Sequence, residues 1–179
     1  IDGPFLKAIA EQAIKHECYI LINVTLRRND DVTLPKNVQD QTNTSNIKAK
    51  ISVTSCLFSP LGKLINQTDK QTLSEHENIY FSASNNISEV VITPLGKLGM
   101  LTGNASMSFE ASRALALNGA QLLCNSINSF ALDQSHLHDP ARAFENNVFI
   151  ATANKVGSLI PLEQLQEDSF EQIQDELTS

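Results

Sequence analysis

The segment KQTLSEHE at residues 70–77 and the segment GKLGMLTGNASMSFEASRALALN at residues 96–118 hold the side chains best spaced for chemistry. Lys70 can stabilise a developing anion and Glu77 can hold or move a proton, although a lysine beside carboxylates is most often a solvated pair. In the second segment, residues 97–101 read as a short buried strand, 102–108 as a small polar turn and 109–118 as a helix stopped by Gly119. Such a junction displays reactive groups at the carboxyl edge of a sheet, beside a helix N-terminus that favours negative charge. Its apex is Gly103, between Thr102 and Asn104, and glycine has no side chain with which to attack. Three other nucleophiles stand near in sequence. The hydroxyls of Thr102 and Ser106 need an activating base, and Cys124, in the middle of LLCNS, reads first as a core residue.

His136, His138 and Asp139 form an HLHD cluster that lacks an evident third ligand group, so a polar loop before Pro140 is expected there and no metal site. No cofactor motif occurs. Cys18, Cys56 and Cys124 are odd in number, far apart and outside any CxxC pattern, which points away from disulfides and toward a reducing, cytoplasmic setting. Five N-x-[ST] sequons are what chance supplies in a chain this rich in Asn, Ser and Thr. No apolar run is long enough to span a bilayer and no basic-then-apolar leader is seen, so neither membrane insertion nor export is expected. The net charge is −7, yet residues 161–179 carry six acidic side chains and no basic one, leaving 14 acidic against 13 basic elsewhere. A near-neutral body with 6% aromatic residues gives nucleic-acid binding no footing.

The 179 residues fit a single domain. Gly3-Pro4 starts an amphipathic helix that reaches about Glu17, and residues 19–26 form a strand after it. Residues 29–46 read as an exposed polar loop. Two hairpins follow, at 51–66 and 90–101, each turning through PLGKL, and their likeness predicts adjacent strands in one sheet. A strand at 121–126, a short helix at 140–146, a strand at 148–154 and an acidic helix over 160–179 complete an α/β pattern.

Taken together and in order, KQTLSEHE, PLGKLGML, FEASRALALNGAQLL and ARAFENNVFIATANKVG resemble the carbon-nitrogen hydrolase family, the nitrilase superfamily. The likeness runs from about Gly3 to Pro161, and Arg142-Ala-Phe-Glu145-Asn146 with Ala153-Asn154-Lys-Val-Gly157 is its most specific part. It implies an α-β-β-α sandwich, usually paired with a second copy, and hydrolysis of amides or nitriles by a Glu-Lys-Cys triad. By this resemblance Lys70 falls on the catalytic lysine, Glu77 on the second glutamate that arranges the site, and Gly103 on the cysteine. Asn104 and Ala105 also depart from the family pattern. The first catalytic glutamate has no counterpart, because the family places it on a strand ahead of the helix with which this sequence begins; strands usual after the Val156-Gly157 region are lacking too.

The expectation is therefore a partial nitrilase-like sandwich, catalytically inactive, serving as a binding or assembly module for a small amide-like ligand. Self-association is expected through the helices at 109–118 and 140–146, the first of which carries apolar or small residues around most of its surface. The alternative is an amidohydrolase whose missing groups come from outside this chain, or from Thr102, Ser106 or Cys124.

Overall fold

The computed structural model describes residues 3–28, 50–86, 88–129 and 134–155. The expected loop at 29–46, the acidic helix at 160–179 and the end of the ANKVG motif lie outside the described residues. Helix α1 spans Pro4–Lys15, with Pro4 at its first turn, where a missing N–H costs nothing. It leads into β1 (Ile20–Arg28), which pairs antiparallel with β2 (Lys50–Phe58), and β2 pairs antiparallel with β3 (Leu64–Asp69). The turn between β2 and β3 uses Gly62 at φ +71°, against Ala10 and Ile14 of α1.

A second sheet is built from β4 (Val91–Thr93), β5 (Gly96–Thr102), β6 (Leu122–Ile127) and β7 (Phe149–Asn154), in that order. Strands β5, β6 and β7 run parallel, with α3 (Phe109–Leu117) joining β5 to β6 and α4 (Asp139–Asn146) lying before β7. The one-turn helix α2 (Glu77–Tyr80) follows β3. The two PLGKL hairpins thus fall in different sheets, contrary to the expectation that their strands are neighbours. A Pro-Leu-Gly turn sets only the local reversal; which sheet each strand joins is decided by the face it buries.

The residues alternate accordingly. Cys56 and Phe58 of β2 pack on Leu6 and Ala13 of α1, whereas Leu57 between them turns inward against Leu98 and Met100 of β5. On the far side, Leu101 and Leu123 pack with Leu115 of α3. Helix, sheet, sheet and helix stack as layers, with β1 across from β6 and β2 across from β5. The outermost strand β7 leaves Phe149 79% exposed, and Phe144 of α4 is 91% exposed. Among the described residues, no helix is long and apolar enough to cross a membrane.

Candidate functional site

Lys70 stands one residue past β3. Its N–H donates to Val53 O at 2.8 Å and its carbonyl accepts from Ser84 N at 2.9 Å, so the main chain is fixed on both sides. The side chain runs inward and is only 4% exposed. Its Nζ donates to Glu77 Oε1 at 2.6 Å. Glu77 is itself aimed by a reciprocal cap: its Oε2 accepts from Ser74 N at 2.8 Å, and Ser74 Oγ accepts from Glu77 N at 3.3 Å. This is the capping box S-x-x-E, written in the sequence as Ser74-Glu75-His76-Glu77. Burial pushes the Glu77 carboxyl up, but the Lys70 hydrogen bond, the Ser74 N–H and the Lys70 charge outweigh it and hold the group below its ordinary range.

Gly103 opens a 3₁₀ turn, Gly103–Met107, directly after β5. Its φ is +60°, and a Cβ there would lie 3.3 Å from Lys70 Nζ and 3.4 Å from Lys70 Cε. The fold therefore brings Lys70, Glu77 and the turn at Gly103 to one place, as the sequence motifs require. Buried donors hold the back of the turn. Asn125 Nδ2 of β6 donates to Gly103 O at 3.0 Å, and Gln134 Nε2 donates to Ser106 Oγ at 3.0 Å and more weakly to Gly103 O at 3.4 Å. Arg142 Nε donates to Ser106 O at 3.2 Å and Nη2 to Met107 O at 3.4 Å, while Nη1 pairs with Glu145.

These supports were not visible in the sequence. Arg142 and Glu145 stand there only within the motif that carries the resemblance, and residues before Pro140 read as a polar loop. Instead residues 134–138 form a π-helical turn that buries Gln134 against the Gly103 turn. Of the missed residues, only Ser74 had a local signal, in its spacing to Glu77.

In front of the turn lies a cavity of about 460 Å³, walled by Lys70, Glu77, Gly103 and Asn104 together with Val53 and Met107. None of the three other nucleophiles lines it. Thr102 Oγ1 is buried between the sheets and donates to Ser55 Oγ at 3.0 Å. Ser106 is buried under Gln134, and Cys124 is half-buried on β6, where burial pushes its thiol pKa up. His136 and His138 sit on the π-helical turn, and among the described residues no three His, Cys, Asp or Glu side chains gather as metal ligands would.

A search of curated proteins found no match. Among solved structures, the fold superposes on the NitN amidase of Nesterenkonia sp. AN1 with a TM-score of 0.68 at 18% identity, covering 86% of this chain and 54% of that one. A cysteine-to-alanine variant of that amidase in complex with butyramide gives a TM-score of 0.67 at 19% identity, over 86% of this chain and 53% of that one. A further form carries the acetamide moiety of fluoroacetamide on its active-site cysteine and also gives 0.67, at 18% identity over 86% and 52% of the two chains. This chain thus spans about half the length of the solved structures it matches, and the sandwich it shares with them is partial. The family model for carbon-nitrogen hydrolases matches residues 1–173, and the chain belongs to the carbon-nitrogen hydrolase family.

Proposed function

We propose that this chain is a non-catalytic carbon-nitrogen hydrolase domain that binds a small amide-like ligand in the cavity at Gly103 and associates with a second copy through α3 and α4. One observation carries the reading: the apex of the strand-turn-helix junction, 3.3 Å from the buried ammonium of Lys70 when a Cβ is built, is a glycine. Covalent hydrolysis of an amide needs a nucleophile at the reacting carbon and a base to unload its proton. Lys70 and Glu77 remain as a positioned ion pair able to polarise a carbonyl, which orients a ligand without cleaving it. The free state of all three cysteines accords with the cytoplasmic setting we infer.

The competing reading, an amidohydrolase completed by groups outside this chain or by an unorthodox nucleophile, draws support from the amidase structures the fold resembles. Against its second form stand the positions of Thr102, Ser106 and Cys124, none of which faces the cavity. Purified protein assayed on simple amides and nitriles is expected to show background turnover. Robust hydrolysis that Cys124→Ala abolishes would overturn the non-catalytic reading.

A further inference from the structure

We propose that the acidic C-terminal segment of this chain, residues 162–177, docks on the end of the sandwich opposite the Gly103 cavity, across the two PLGKL turns. Strands β3 and β5 end just before Lys70 and Gly103, and each begins within one of those motifs. The turns belong to different sheets but lie at the same end. Leu57 packs on Leu98, and Ser55 Oγ donates to Leu101 O at 3.1 Å, so β2 runs toward its turn where β5 leaves its own. Gly62 at φ +71° and Gly96 at φ +116° reverse the chain at the same place in each motif, and the leucine before each points to solvent: Leu61 is 85% exposed and Leu95 68%. Ile14, at the end of α1, lies against Gly62 and is exposed too. Over residues 14–17, 59–63 and 94–97, three lysines (Lys15, Lys63 and Lys97) stand with one carboxylate, Glu17. All three are exposed, and among the described residues none forms a salt bridge. Apolar tips set among unpaired lysines complement a group that is both apolar and acidic.

The chain itself supplies such a group. Residues 162–177, outside the described residues, carry Leu162, Leu165, Phe170, Ile173 and Leu177 among six carboxylates and no basic side chain. The reach is sufficient. Strand β7 delivers the chain at Lys155 to the cavity end, and residues 156–161, extended, span about 20 Å, the length of a six-residue strand back to the turns. As a helix, residues 162–177 would be about 24 Å long, enough to cross two sheets about 10 Å apart and reach the end of α1. Tethering holds the segment near its site at an effective concentration of about millimolar, so modest apolar and charge contacts suffice.

Hydrogen exchange of the full chain, read by mass spectrometry, and zero-length carbodiimide cross-linking test the assignment. Amides of residues 162–177 should exchange more slowly than an unstructured chain. Leu61→Glu with Leu95→Glu should speed them about tenfold while the amides of β5 and β6 keep their rates. Lys63→Glu with Lys97→Glu should release the same segment, and Lys63→Arg with Lys97→Arg should not. Cross-links should join Lys63 or Lys97 to the segment's carboxylates within one molecule. Exchange of residues 162–177 at the unstructured rate, or protection that both glutamate pairs leave intact, overturns the proposal. Cross-links found only between molecules give the site to a second copy, and protection that appears only on adding vesicles of anionic lipid gives it to a membrane surface; either result overturns docking within the chain.

Discussion

Lys70 Nζ donates to Glu77 Oε1 at 2.6 Å, and this ion pair ties the residue after β3 to the first residue of α2. Glu77→Gln leaves the buried ammonium with a neutral acceptor and is expected to cost about 2 kcal/mol in denaturant unfolding. The pH dependence follows from the direction of the shift. Because the folded Glu77 carboxyl titrates below its ordinary value of 4.5, its contribution is present above that value and is lost as pH falls through the lower folded value. The stability difference between the parent and Glu77→Gln should shrink over that acid range. A difference that holds constant down to the acid transition would contradict the role given to this pair.

Gly103→Cys places a thiol beside the Lys70 ammonium, which favours the thiolate. Iodoacetamide should label this thiol at neutral pH well before it labels Cys124, whose pKa burial raises. The left-handed backbone should lower stability by about 1–2 kcal/mol. Amide turnover should stay at background, because among the described residues the cavity offers no carboxylate besides Glu77, which is already engaged. Steady hydrolysis by this variant would mean that a competent base is at hand.

Gln134 is 1% exposed and spans from the π-helical turn to Ser106 and Gly103. Gln134→Leu keeps the volume but takes the Gln134 donor from Ser106 Oγ and leaves Gly103 O with Asn125 alone, and about 2 kcal/mol of destabilisation is expected. The Gly103 amide signal should move even though residue 134 lies outside the cavity wall. An unmoved signal would show that Asn125 and Arg142 hold the turn unaided.

The neighbouring helices α3 and α4 leave Leu117 and Phe144 exposed, and we propose that a second copy covers them. Sedimentation at micromolar concentration should give a dimer, and Ala114→Glu should weaken it. A strictly monomeric parent would refute self-association, and a dimer indifferent to Ala114→Glu would put the contact elsewhere.

Most of the element order was legible in the sequence because its causes are local. Pro4 starts α1, Gly62 and Gly96 turn two hairpins at positive φ, and Gly119 at φ +88° stops α3. The PLGKL repeat misled in one respect, since identical turns said nothing about which sheet each hairpin joins. Lys70, Glu77 and Gly103 could be named because the segments around them resemble those of the family. Asn125, Gln134 and Arg142 could not, because what they bond is backbone carbonyl and, for Gln134, also the Ser106 hydroxyl, far away in the chain and without a local spacing to mark it.

By itself the sequence determined the family, the strand-turn-helix junction and the glycine at its apex, all of which are properties of residue type and order. Only the tertiary structure decided what stands around that glycine. Folding carries Lys70, more than thirty positions away in the chain, to within 3.3 Å of a Cβ on Gly103, and seals the turn's carbonyls behind buried amides and a guanidinium. The reason is physical: an ammonium removed from water acts on whatever the packed sheets bring against it, and sequence distance does not enter that interaction.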